Sequence, residues 1–227
     1  MINLTKEPQK LAKMIDHTNL KPDATLNDIK KLCMEAKNYG FASVCVNPSN
    51  VHFSFETLKE ENINVCTVIG FPLGANTPKT KSFETKEAVQ CGASEIDMVM
   101  NIGALKSGFD LKVKEDIEGV ISASNNNLVK VIIETSLLTD DEKIKACEII
   151  KESGADFVKT STGIGYPGAK VEDIHLIKKC VGSSLKIKAS GGIKDLKTSL
   201  EMIKAGATRI GTSSGVQIIE QLIKKNQ

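Results

Sequence analysis

No stretch of this 227-residue chain is apolar for long enough to span a bilayer. The first residues, Met1 to Lys13, are polar and include Glu7, so the apolar centre of a secretory signal is missing as well. No block of like charge stands out. The formal net charge is +2, with Lys/Arg and Asp/Glu interleaved, which gives no electrostatic footprint for nucleic acid. None of the six cysteines (Cys33, Cys45, Cys66, Cys91, Cys147 and Cys180) belongs to a Cys-x-x-Cys pair. No cysteine–histidine cluster has zinc-ligand spacing, so no metal is expected. Scattered through candidate helices and strands, the thiols read as reduced core residues of a cytoplasmic protein. What remains is 41% hydrophobic and 26% charged, a composition that argues against disorder and for a globular fold. The length suits one large domain and falls within the size of a lean single-domain barrel.

The chain repeats itself. Asn38-Tyr39-Gly40-Phe41-Ala42, Gln90-Cys91-Gly92-Ala93-Ser94, Glu152-Ser153-Gly154-Ala155-Asp156 and Lys204-Ala205-Gly206-Ala207-Thr208 each follow an amphipathic stretch and precede a β-like run. A glycine there suits the left-handed stop of a helix. The four glycines recur roughly every 50–60 residues, and a βαβ unit needs about 30 or a little more, so each interval holds two strand–helix steps. Eight strands follow: Lys13–Asp16, Ser43–Asn47, Val65–Gly70, Glu95–Asn101, Val129–Thr135, Asp156–Ser161, Leu185–Ser190 and Arg209–Thr212. Between them lie helical patterns. Thr139-Asp140-Asp141-Glu142 is a capping box, followed by Ile144, Cys147 and Ile150 at helical spacing. Asp195 caps a helix with Leu196, Leu200 and Ile203 on its apolar face. Strict alternation predicts a parallel sheet. Strand count and even spacing favour a closed (β/α)₈ TIM barrel, with a short N-terminal helix, over a doubly wound open sheet. Residues 1–227 read as one barrel domain.

One face of each barrel strand points inward and the other packs on helices. In the seventh strand Leu185, Ile187 and Ala189 must take the helix side, which sends Lys186, Lys188 and Ser190 inward. Lys186 lies near the strand's start and reads as a snorkelling side chain. In the fourth strand Glu95, Asp97, Val99 and Asn101 face inward. In the sixth, Phe157, Lys159 and Ser161 share a face, and the fifth turns Glu134 inward. Lys159, Lys188 and Asp97 therefore converge near the C-terminal mouth, where barrel enzymes keep their active sites. Such charges also suit a buried network that fixes strand register. Two close lysines suggest a particular chemistry. A lysine attacks a carbonyl only as the free amine, and a neighbouring ammonium disfavours its charged form. The resulting iminium is an electron sink that permits carbon–carbon cleavage without a metal.

Gly191-Gly192 follows Lys188 closely, and Gly211-Thr212-Ser213-Ser214-Gly215 ends the eighth strand. These are the loops after strands seven and eight, where barrels often bind phosphate. Gly191, Gly192, Gly211, Ser213 and Ser214 are the candidates, with Thr162 and Gly163 after the sixth strand. Gly163-Ile164-Gly165-Tyr166-Pro167-Gly168 spells a dinucleotide-like glycine pattern. It runs into Pro167 rather than a helix, so no nicotinamide cofactor, and no other, is expected.

At Ile15-Asp16-His17-Thr18-Asn19-Leu20, Cys45-Val46-Asn47-Pro48, Gly70-Phe71-Pro72-Leu73-Gly74, Glu95 to Asn101, Val158 to Gly163 and Lys188 to Ile193, the sequence resembles the deoxyribose-phosphate aldolase family over nearly its whole length. The resemblance implies a class I, Schiff-base aldolase. It implies reversible cleavage of 2-deoxy-D-ribose 5-phosphate to D-glyceraldehyde 3-phosphate and acetaldehyde, in deoxynucleoside breakdown. It also implies a homodimer. In this family's terms Lys159 is the Schiff-base lysine, Lys188 the lysine that perturbs it and Asp97 the proton-transfer carboxylate. Asp16 pairs with Lys188, and Thr18 and Cys45 are pocket neighbours. Cys45 suits a core position as well, and His17 and His175 read as ordinary satisfied histidines. Ile164 stands where some members have a lysine, with Lys170 as a possible substitute. The tail Gln221 to Gln227 lacks the tyrosine that ends some members. Two rival readings stay open: another lysine aldolase acting on a different sugar phosphate, and a barrel that only binds phosphosugars.

Overall fold

The computed structural model describes residues 7–226. Eight strands close into one parallel barrel in chain order. They are β1 (Ile15–Asn19), β2 (Ser43–Val46), β3 (Asn64–Ile69), β4 (Glu95–Val99), β5 (Leu128–Ile132), β6 (Phe157–Lys159), β7 (Lys186–Ser190) and β8 (Arg209–Thr212). The closure lies between β1 and β8, where Ile15, Asp16 and His17 pair with Ile210, Gly211 and Thr212. That pairing excludes the open sheet. A short N-terminal helix, α1 (Pro8–Ala12), precedes the barrel, and the outer layer comprises α2 (Leu26–Tyr39), α3 (Val51–Leu58), α4 (Pro78–Gln90), α5 (Ile102–Lys106), α6 (Asp110–Ala123), α7 (Asp140–Ser153), α8 (Val171–Val181), α9 (Leu196–Ala205) and α10 (Gly215–Lys225). Among the described residues no helix is long and apolar enough to cross a membrane.

The local signals act as their chemistry requires. Thr139 and Glu142 form a reciprocal capping box at the start of α7, and Thr25 with Asp28 does the same for α2. Asp195 accepts the Thr198 amide at 2.8 Å and starts α9. All four repeat glycines have positive φ: 70° at Gly40, 107° at Gly92, 82° at Gly154 and 128° at Gly206. The main core lies between sheet and helices, and Ile96, Met98, Met100, Ile187 and Ala189 are all buried there. On α9 the deepest row is Leu196, Ser199, Met202 and Ala205, with Leu200 and Ile203 only partly buried.

Several strand ends differ from the sequence-based bounds. The first strand begins at Ile15 rather than Lys13, because the Lys13 and Met14 amides close the last turn of α1. The fourth ends at Val99. Asn101, expected inward, instead caps α5 by accepting the Ala104 amide at 3.0 Å. The fifth stops at Ile132, and two residues on Glu134 adopts the left-handed region with φ 51°. Lys186 keeps the inward parity of its strand but is exposed at the strand's start, in keeping with a snorkelling side chain, its ammonium 5.6 Å from the centre of the Phe157 ring.

The glycine run Gly163 to Gly168 has a packing role. A Cβ on Gly168 would lie 2.0 Å from the Gly191 carbonyl oxygen, so the loop after β6 lies directly on the loop after β7. The Ala169 amide fixes this contact by donating to the Ser190 and Gly191 carbonyls. Gly168→Ala should therefore cost about 1–3 kcal/mol in urea unfolding, the usual penalty for overpacking. Gly103→Ala, inside α5 with nothing nearer than 3.7 Å, should be neutral or stabilising.

Candidate active site

Three strands deliver the expected residues to one point. Val158 and Ile187 take the helix side of β6 and β7, so Lys159 and Lys188, which are register partners, both turn inward. Asp97 on β4 faces them from across the barrel. One of its oxygens, Oδ2, accepts from Lys159 Nζ and from Lys188 Nζ, each at 2.7 Å. Asp16, on β1, holds Lys188 from the other side at 2.5 Å.

Beneath this junction lies a layer that the sequence reading missed. Lys130, on β5, donates to Asp97 Oδ1 at 2.8 Å and pairs with Glu95 at 2.6 Å. Arg209, on β8, bridges Asp16 at 2.5 Å and Glu95 at 3.0 Å. The Cys66 thiol donates to Asp97 Oδ1 at 3.2 Å, and Ser43 donates to Asp16 at 2.7 Å. Lys130 shares its inward parity with Glu134, and that signal alone would have found it.

Among the described residues, four cationic side chains thus meet three carboxylates in the buried interior. Burial pushes the Asp97 carboxyl up, but Lys130, Lys159 and Lys188 together outweigh it and hold it well below the ordinary carboxylate range. Asp16 is likewise driven down by Lys188, Lys130 and Arg209 against the effect of burial. Burial also disfavours the Lys188 and Lys130 ammonium groups. Asp16 and Asp97 overcome this for Lys188, and chiefly Asp97 for Lys130, and both lysines are pushed above their ordinary value.

Two sets of side chains have metal-ligand proximity, Cys45 with Cys66 and Asp97, and Asp16 with Cys66 and Glu95. In both, ammonium or guanidinium groups already lie against the carboxylates.

Above the network opens a cavity of about 870 Å³, walled by the loops after β1, β6, β7 and β8 with Lys159 among its lining residues. Thr18 lies on the wall, as do Thr162, Gly163, Gly191, Gly192, Gly211, Ser213 and Ser214. One of these is corrected as an anion donor. Thr162 donates both its amide (3.0 Å) and its hydroxyl (2.6 Å) to Glu134, which leaves it no donor for a phosphate. Gly211, also on the wall, has a packing reason to be glycine as well, since a Cβ there would lie 2.9 Å from Lys188 Cε. Cys45 is absent from the wall and packs with Cys66, Val68, Leu20 and Phe71. Lys170 is also absent from it and precedes α8 on the exposed side, whereas Lys21 and Lys194 join the wall with Ile164. His17 pairs through Nε2 with Glu35 at 2.7 Å, while its buried Nδ1 has no side-chain or backbone partner among the described residues, so only half of the ring is satisfied.

Comparison with known proteins agrees with this geometry. The family model described as DeoC/LacD family aldolase matches residues 10–221. The chain belongs to the DeoC/LacD aldolase family. Among its relatives, the deoxyribose-phosphate aldolase of Caldanaerobacter subterraneus is 55% identical, covering 99% of each chain. That of Geobacillus sp. is 59% identical over 92% of this chain and 95% of its own. The solved deoxyribose phosphate aldolase of Aeropyrum pernix, described as a tetramer, superposes with a TM-score of 0.91 at 31% identity, covering 98% of this chain and 95% of its own. As a DeoC/LacD aldolase the chain is a carbon–carbon lyase.

The network sets a sign for stability against pH. Asp16 and Asp97 stabilise the fold above the ordinary carboxylate range, and this is lost as pH falls through their depressed folded values. Lys130 and Lys188 stabilise it below the ordinary lysine value of 10.5, and this is lost only as pH rises past their elevated folded values. Lys130→Met leaves Asp97 Oδ1 and Glu95 short of a cation, and should cost about 3–5 kcal/mol at neutral pH in urea unfolding. The difference from wild type should narrow below about pH 4, where the unfolded chain takes up the same protons.

Proposed function

We propose that the chain cleaves 2-deoxy-D-ribose 5-phosphate reversibly to D-glyceraldehyde 3-phosphate and acetaldehyde, with Lys159 as the nucleophile. The observation that carries this reading is the position of Lys159. Lys159 is among the residues that line the cavity, and its Nζ shares a single Asp97 oxygen with Lys188. The names of the curated relatives favour deoxyribose phosphate over other sugar phosphates.

The chemistry follows from the charge inventory. Lys159 as a free amine leaves three cations against three carboxylates, a matched interior. The amine adds to the substrate's aldehyde carbon, and loss of water gives an iminium. The C3 hydroxyl then gives up its proton, the C2–C3 bond breaks, and its electrons pass into the iminium to form an enamine. Glyceraldehyde phosphate leaves. Protonation of C2 and hydrolysis release acetaldehyde and restore Lys159. Asp97, 2.7 Å from the reacting nitrogen, is the proton-transfer carboxylate, and Lys188, fixed by Asp16, is the ammonium that tunes the pair.

The phosphate is received by Gly191, Gly192, Ser213 and Ser214, supported by Gly163 and Gly211. Gly191 and Gly192 have φ of 86° and 76°, conformations that glycine holds without strain, and both line the cavity with no side chain to block the approach of an anion to the backbone. The unpaired first-turn amides of α10 add favourable partial charge. The same reading takes the chain as one aldolase domain, homodimeric and cytoplasmic, active in deoxynucleoside breakdown. The family match along the chain supports the single domain, and the tetrameric Aeropyrum relative supports self-association. The six free thiols suit a reducing compartment.

Acetaldehyde with borohydride should add one ethyl group at Lys159, identified by mass spectrometry of the digested protein, and a label at another lysine would refute the assignment. Asp97→Asn should still trap some imine but lose about 10²- to 10⁴-fold in retro-aldol rate, the usual worth of general acid–base help. At the other end of the substrate, Gly192→Val should raise KM for the phosphorylated sugar far more than for free deoxyribose; equal effects on both would remove the glycine loop from phosphate binding.

A further inference from the structure

Glu134 takes no part in the charge network or the cavity wall, yet its backbone has φ 51° and ψ 69°, a left-handed conformation that non-glycine residues hold only at a cost. Its side chain is buried, and a single oxygen, Oε2, accepts both donors of Thr162. The Thr162 hydroxyl in turn accepts the Ile164 amide at 3.2 Å. On the opposite side, Ser190 ties down the preceding two residues. Its amide donates to the Thr160 hydroxyl at 3.1 Å, and its hydroxyl donates to the Ser161 carbonyl at 2.6 Å. The segment that leaves Lys159 is therefore pinned from β7 by Ser190 and from the end of β5 by Glu134.

We propose that Glu134 is a positioning residue that fixes the cavity wall at Thr162–Ile164 and so sets affinity for the phosphorylated sugar. This rests on the substrate reading above. Glu134 acts through Thr162 and touches no reacting atom. Its strained backbone is explained by the reach it gives the carboxyl, which bridges from the end of one strand to the loop after the next. Side chains that merely fill space need no such conformation, and a glycine would adopt it freely.

The decisive comparison is Glu134→Gly with Glu134→Gln. Glycine keeps the backbone shape without strain and removes the carboxyl. Glutamine keeps one carbonyl oxygen for both Thr162 donors. With 2-deoxy-D-ribose 5-phosphate, Glu134→Gly should raise KM about tenfold, the scale of losing hydrogen bonds to a charged group. Its kcat should stay within about threefold, since uniform binding rather than transition-state binding is lost. Glu134→Gln should recover most of the KM. Hydrogen exchange at the Thr162 amide should be slow in wild type and in Glu134→Gln and faster in Glu134→Gly. A wild-type KM in Glu134→Gly, equal damage in both variants, or a fall in kcat at constant KM would overturn the proposal. Should Glu134→Gly not fold, Thr162→Val removes one of the two bonds and should raise KM, with Thr162→Ser restoring it; an unchanged KM in Thr162→Val would count against Glu134. If the wild-type protein does not cleave this sugar, the substrate reading fails by itself. The Thr162 exchange rates then decide the role of Glu134, and equal rates in wild type and Glu134→Gly refute it.

Discussion

Asp97 Oδ2 accepts from two ammonium groups at once, and the interior of the barrel is arranged around that oxygen. Burying one carboxylate costs several kcal/mol, and burying lysines costs as much again unless each finds a counter-charge. The counter-charges come from six different strands: Asp16 from β1, Glu95 and Asp97 from β4, Lys130 from β5, Lys159 from β6, Lys188 from β7 and Arg209 from β8. They meet only if the sheet closes. The Asp16–Gly211 pairing that seals β1 to β8 is thus also what brings Asp16 within reach of Lys188 and Arg209. Fold and site are one constraint, because an open sheet would leave the network short of a wall and of two charges.

The parts of this that follow a period were legible beforehand. Alternation along the seventh and fourth strands placed Lys188 and Asp97 inside, and the glycine repeat placed the eight strands. The parts that depend on tertiary hydrogen bonds were not. Lys130 lies in the run Leu128 to Glu134, whose apolar residues flank it on both sides, so it drew no notice although its parity is the same as that of Glu134. Thr162 looked like a phosphate donor because threonine and glycine after a strand have that chemistry. Only the fold shows that Glu134 takes both of its donors. Cys45 lies at an inward position, but residue type does not say how deep, and it packs under the cavity rather than on it.

Glycine carries two meanings at this mouth, and sequence cannot separate them. Gly192 has nothing within 4 Å of its absent Cβ and a left-handed φ, which is the profile of a backbone presented to a ligand. Gly168 and Gly191 lie against each other, and Gly211 makes room for Lys188, which is the profile of close packing. The same residue type therefore shapes the rim of the cavity and lets the charged interior fit beneath it. Gly191 belongs to both kinds, since it packs on Gly168 and also lines the cavity.

The charge count bears on which state the interior is built to hold. With Lys159 protonated the network has one cation more than it has carboxylates, and with a free amine it is matched. An iminium at Lys159 restores a positive charge on the same nitrogen, beside the same Asp97 oxygen that accepted from the ammonium. On the proposed pathway the resting ion pair is thus a rehearsal of the charged intermediate, and the dipoles around it need little rearrangement when the carbonyl adds, the condition under which electrostatic stabilisation is most effective. Lys188 and Lys130 remain cationic throughout, each held by carboxylates that pull it above its ordinary pKa. On that proposed pathway Lys159 is the lysine whose charge changes during the cycle, and Asp97, 2.7 Å from it, takes and returns the proton.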